Sequence, residues 1–118
     1  MDELTTRKLL RLLGVGLRGR LVVVGVERVR EAAQRGKLKL AVIAPDASRH
    51  SLAKVVPMLR AKRIRLIEGP AAAELGAAVG REATATVGVV DVDLARGIRA
   101  LVGPAPAEGR TADSMRAR

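Results

Sequence analysis

The stretch that decides the fold is Leu21–Ser48, LVVVGVERVREAAQRGKLKLAVIAPDAS. Val22, Val23 and Val24 form a β-branched run that ends at Gly25. Val26, Val29 and Ala33 then recur at helical spacing as far as Gly36, and Leu40–Ala44 is a second apolar run stopped by Pro45 and Asp46. The unit reads strand, glycine turn, helix, strand. A glycine turn that opens a helix presents backbone N–H groups and a positive dipole end, a place for an anion. Arg18, Arg20, Arg28, Arg30, Arg35, Lys37 and Lys39 stand in or beside it, and the unit should gather these cations on one side.

Working outward, the same alternation continues in both directions. Before the unit, Thr5 or Thr6 can cap a helix whose buried face is Leu9, Leu10, Leu12 and Leu13. After it, Asp46, Ser48 or Ser51 can cap a third helix carrying Leu52, Val55, Val56 and Leu59, with Pro57 inside. Ile64–Ile67 is a short strand, and Pro70 fits the first turn of a fourth helix that ends at Gly80. Thr84–Val90 is a fourth strand, and Asp91 or Asp93 caps a last helix with Leu94, Ile98 and Leu101 facing inward. Five helices alternating with four strands predict an α/β fold with helices on both faces of a central four-stranded sheet. Residues 1–102 form one domain on this reading, and the Pro/Ala/Gly-rich stretch 103–118 is a flexible basic tail.

Composition narrows the function. The chain has 118 residues, 22 Lys and Arg against 12 Asp and Glu, and a formal net charge of +10. A small domain this basic is expected to meet a polyanion, of which nucleic acid is the commonest. There is no Phe, Tyr or Trp. That argues against base stacking on single strands and leaves shape and groove contacts. No stretch reaches the ~18 apolar residues of a membrane-spanning helix. The acidic start Met1-Asp2-Glu3 lacks a hydrophobic signal core, so the cytoplasm is the expected location.

Catalytic and cofactor chemistry find little support. Cysteine is absent and His50 is the only histidine, which excludes thiolate sites, a histidine triad and a two-histidine metal pair. Asp91 and Asp93 precede a helix, where acidic residues cap and complement the dipole, and Glu68 and Glu74 sit near another helix start. Gly14-Val15-Gly16-Leu17-Arg18-Gly19 spells the dinucleotide fingerprint GxGxxG. Its physics requires a strand before it and a helix after it. Here the order is reversed, so these glycines are read as a helix C-cap and loop. No cofactor, small-molecule substrate or enzymatic activity is expected.

Leu12-Leu13-Gly14, the valine run to Gly25, Arg35-Gly36-Lys37, and Ile43-Ala44-Pro45-Asp46-Ala47-Ser48 occur in a familiar order. Glu74-Leu75-Gly76, Gly80-Arg81-Glu82 and Val89-Val90-Asp91 follow at matching distances. Over roughly Leu9–Leu101 the chain resembles the ribosomal protein L7Ae/L30e family, most of all its short single-domain bacterial members. The resemblance implies a three-layer α/β/α sandwich with a mixed four-stranded sheet. It also implies binding to structured, typically kink-turn, RNA in a ribosomal setting. The family's kink-turn binders read Gly-x-Asn-Glu-x-x-Lys at the strand-to-helix turn. Gly25 keeps the glycine, whereas Glu27, Arg28 and Glu31 replace the Asn, Glu and Lys. The family's second contact, an apolar loop before the last strand, falls on Arg81, Glu82, Ala83 and Thr84, where Ala83 is a small wedge.

The expected RNA-binding set is therefore Arg20, Gly25, Val26, Glu27, Arg28, Glu31, Lys37, Arg81, Glu82, Ala83 and Thr84. Its partner would be structured RNA, ribosomal RNA first, with ribosomal proteins as further partners. The alternative is a protein-interaction module of the ribosome or of the transcription–translation machinery, using apolar surface near Ala71–Ala78.

Overall fold

The computed structural model describes residues 1–105. The chain runs α1 (Glu3–Arg18), β1 (Val22–Val24), α2 (Val26–Gln34), β2 (Leu40–Ile43), α3 (Arg49–Ala61), β3 (Arg65–Glu68), α4 (Ala72–Ala78), β4 (Thr86–Val89) and α5 (Val92–Val102). The strands form one mixed sheet in the order β1-β4-β2-β3. β4 pairs antiparallel with both β1 and β2, and β2 pairs parallel with β3. The expected α/β alternation is present with all nine elements. Of the tail expected at 103–118, only its first three positions fall within the described residues.

Alternation along the strands sorts side chains onto two faces. Val22, Val24, Leu40, Val42, Ile67, Val87 and Val89 meet Leu9, Leu13, Leu75, Ala95 and Ile98 in a core under α1, α4 and α5. Ala41 and Ile43 point the other way and pack with Val29, Ala33, Val55 and Leu59 under α2 and α3. Near-continuous apolar runs such as Leu40–Ala44 are thus explained by burial on both faces. Gly88 keeps the second face shallow enough for α2. A Cβ there would lie 2.6 Å from Leu38 Cδ1 and 3.1 Å from Val29 Cγ2.

Several local expectations are corrected. The reading of Gly14–Gly19 as cap and loop fails, because α1 continues through Gly14 and Gly16 to Arg18, and only Gly19 is the C-cap. The helix tolerates these glycines because its neighbours come close. A Cβ at Gly14 would sit 2.9 Å from the Ala78 carbonyl oxygen, and one at Gly16 would sit 2.6 Å from Leu94 Cδ2. The fingerprint is a packing stripe, and the missing side chains let α1 settle against α4 and α5.

Caps differ too. Asp2, not Thr5 or Thr6, caps α1 by accepting from the Thr5 amide at 2.7 Å, whereas Ser48, one of the three expected candidates, does cap α3 by accepting from the Ser51 amide at 3.0 Å. Asp46, in the turn before α3, does not cap that helix and accepts instead from the Ala72 amide of α4 at 2.8 Å. Pro70 lies one residue before the α4 N-cap, Ala71, rather than in the first turn. The strands expected at 64–67 and 84–90 are Arg65–Glu68 and Thr86–Val89.

Candidate nucleic-acid interface

Strand register decides which turn and loop residues meet. β1 ends at Val24 beside Val87, and β2 ends at Ile43 beside Thr86. The Gly25 turn, the loop before β4 and the loop after β2 consequently share one end of the sheet. Gly25 is the α2 N-cap at φ +97°, a conformation that strains any side chain. Its amide donates to the Thr86 carbonyl at 2.9 Å, and its carbonyl accepts from Val29 at 3.0 Å. Among the described residues no side chain caps the first turn of α2. That turn therefore offers backbone donors and a positive dipole end next to exposed Glu27 and Arg28.

The second loop is built as tightly. The Arg81 amide donates to the Gly76 carbonyl at 2.8 Å, and the Thr84 amide donates to the Ala72 carbonyl at 3.1 Å. Gly76 lies so close that a Cβ there would stand 2.5 Å from the Ala83 Cα. The hydroxyl of buried Thr84 donates to the Thr86 carbonyl at 3.2 Å, and that of Thr86 donates to the Val42 carbonyl at 2.9 Å. With the Asp46 bond to α4, all three loops at this end are tied to the scaffold. Arg81, Glu82 and Ala83 stay exposed above it.

The eleven site residues expected from sequence thus separate into groups. Gly25, Val26, Glu27 and Arg28 share an end with Arg81, Glu82, Ala83 and Thr84, although Thr84 turns inward. Arg20 and Lys37 lie at the opposite end, where Leu21 accepts from the Val90 amide and Lys39 donates to the Val89 carbonyl. Glu31 is one turn beyond Glu27 along α2 and pairs with Arg35 at 3.0 Å. The expected gathering of the cations on one side occurs only in part, for Arg28, Arg35 and Lys37 beside α2. Arg18 and Arg20 belong to the end of α1, on the far face of the sheet from α2, and Arg30 donates to the Lys54 carbonyl on α3. The sequence does not mark Lys54, whose Nζ stands 3.7 Å from Glu27 Oε2. No periodic signal marks it, because only the α2–α3 packing brings it to the turn.

Other chemistry is sparse. Among the described residues no cluster of His, Asp or Glu could hold a metal ion, and no helix is long and apolar enough to cross a membrane. Arg65, on the edge strand farthest from β1, has its guanidinium pKa lowered by burial and then by nearby Arg99. The apolar surface expected near Ala71–Ala78 reduces to exposed Ala73 and Ala77, since Leu75 and Gly76 are buried.

A family model described as the ribosomal protein L7Ae/L30e/S12e/Gadd45 family matches residues 7–97. The chain belongs to that family. Two solved structures agree with this L7Ae-type fold. A protein of unknown function from Bacillus halodurans C is 30% identical with a TM-score of 0.74, over 80% of this chain and 96% of its own. The Giardia lamblia 15.5kD RNA binding protein is 19% identical with a TM-score of 0.70, over 86% of this chain and 92% of its own. No curated protein matches this chain in sequence. The L7Ae-family match runs from within α1 to the middle of α5, so both loops of the candidate interface lie inside it.

Proposed function

We propose that this chain binds structured RNA, docking it on the Gly25–Arg28 turn and the Arg81–Ala83 loop. The observation that carries the reading is the shared end of the sheet. An uncapped helix start and a pinned loop with an exposed Arg81 flank the Gly25–Thr86 hydrogen bond. Family membership and the fold shared with an RNA-binding protein support it. Affinity would come mostly from phosphate contacts, with the α2 dipole adding to Arg28 and Arg81. The RNA class proposed for it is ribosomal RNA with tandem G·A pairs.

Base reading would differ from the family's usual turn. Glu27, ionised, accepts hydrogen bonds without donating, and Arg28 donates without accepting. The turn is therefore read as a shape-selective phosphate clamp with a changed base code. The decisive measurement compares a kinked RNA carrying tandem G·A pairs with a straight duplex of equal length. Tighter binding of the kinked RNA is expected. Equal affinity would leave only charge-driven association and refute shape selectivity.

A further inference from the structure

The flank of α2 carries a concavity that starts at Arg28 of the turn and runs away from it. It has a volume of about 280 Å³ and is lined by Arg28, Glu31, Arg35 and Lys37 over a floor that includes Val23 and Val90. Arg28 and Arg35 are seven residues apart, two turns on one helix face and about 10.5 Å along the axis. Lys37 is brought to the same concavity by the end of α2. Gly36 takes φ +71°, and the Lys37 amide donates to the Ala32 carbonyl at 2.9 Å. Among the described residues Glu31 is the only acid in the concavity, and its carboxylate is engaged by Arg35 at 3.0 Å. That contact also orients the Arg35 guanidinium, which keeps further donors for an incoming oxygen.

Three cations along such a distance, over a valine floor, match a particular ligand. A single small anion would be held by groups converging on one point, whereas these are strung along the helix. Among the described residues the floor, Val23, Ala32 and Val90, offers no polar side chain to read base edges. We propose that Arg28, Arg35 and Lys37 form a backbone-tracking subsite, which takes successive phosphates of an RNA strand as it leaves the Gly25 end along α2. This rests on the RNA-binding reading above and extends it. The subsite lengthens the interface toward the opposite end of the sheet and gives Lys37 a role that its distance from the turn otherwise denies it.

The test uses the full chain and a labelled hairpin RNA with tandem G·A pairs between two long stems. Arg35→Gln with Lys37→Gln should weaken binding about tenfold near physiological salt. It should also lower the slope of log K against log salt by about 1.5, the loss of two phosphate contacts. Arg7→Gln with Arg11→Gln removes the same charge from the exposed face of α1, on the other side of the sheet, and should leave the slope unchanged. An equal drop for both pairs would reduce the effect to net charge and overturn the subsite. An unchanged slope for Arg35 and Lys37 in a wild type that binds would overturn the subsite alone. Failure of the wild type to bind this RNA would overturn the parent reading with it. Inorganic phosphate at constant ionic strength separates the two sources of phosphate. No competition is expected, and competition at low millimolar concentration would assign the concavity to a free anion and refute the strand.

Discussion

At the residue scale, Glu27 holds two opposed consequences. Its carboxylate sits in the first turn of α2, where a negative charge complements the dipole by about 0.3–1 kcal/mol. The same charge faces any phosphate brought to that turn. Its ion pair with Lys54 spans 3.7 Å between exposed groups and contributes little. Glu27→Gln should therefore raise RNA affinity about two- to fivefold, as a like charge a few ångströms away in water costs up to about 1 kcal/mol. It should also lower the unfolding midpoint slightly. Fluorescence anisotropy and urea titration on the same variant would show both, and reduced affinity would instead make Glu27 a direct RNA ligand. Arg63 carries a separate strain. It adopts φ +59° to close α3, with the Ile64 amide donating to the Leu59 carbonyl at 2.9 Å. Gly36 and Gly80 do the same work for α2 and α4 at φ +71° and +74°. Arg63→Gly relieves a left-handed L-residue, about 1–2 kcal/mol, against the extra freedom that glycine gives the unfolded chain. A net stabilisation of up to about 1 kcal/mol is expected in urea titration.

At the element scale, one substitution should act with opposite signs in two helices. Gly97 of α5 has nothing within 4 Å of an added Cβ, so Gly97→Ala should stabilise by about 0.5–1 kcal/mol through helix propensity. Gly76 of α4 would place its Cβ 2.5–2.9 Å from the Ala83 backbone, so Gly76→Ala should destabilise by about 1–3 kcal/mol. It should also push the Arg81–Ala83 loop off α4 and weaken RNA binding beyond what the stability loss accounts for. Thermal unfolding and RNA titration of the two variants would separate the effects. Preserved RNA affinity in folded Gly76→Ala would remove the loop from the interface. This contrast also marks what the chain reveals on its own. Periodicity carries element type, so the valine strand, the Val26–Ala33 helix stripe and the order of all nine elements could be read directly. A glycine inside a helix has no periodic signature, because its reason is a neighbour remote in sequence. Gly14 and Gly16 consequently read as a loop in the sequence, whereas in the fold Ala78 and Leu94 lie against them. Asp46 misled similarly, since its acceptor role lies on α4, 26 residues away.

At the scale of the whole molecule, strand order was the hidden variable. Nothing in Leu21–Ser48 reveals that β4 enters the sheet between β1 and β2. Yet that insertion brings Ala83 and Gly25 to one end, and the β1–β4 and β2–β4 pairings carry Arg20 and Lys37 to the other. The basic character was legible as a sum, whereas its division among the α1 end, the α2–α3 seam and the α2 flank required the fold. That division predicts where salt acts. Beyond Ala105 the chain carries Arg110, Arg116 and Arg118 against Glu108 and Asp113, so nearly all the excess positive charge lies in the described residues. Counterions released on binding are those displaced by cations that meet phosphate. If the folded surface provides those cations, a chain ending at Ala105 should keep the wild-type slope of log K against log salt to within about one contact. Affinity at fixed salt should fall no more than a few-fold. A titration from low to physiological salt on both chains measures this directly. A slope reduced by two contacts or more would transfer the phosphate grip to residues after Ala105, and the α2 turn and flank would then be scaffold for it.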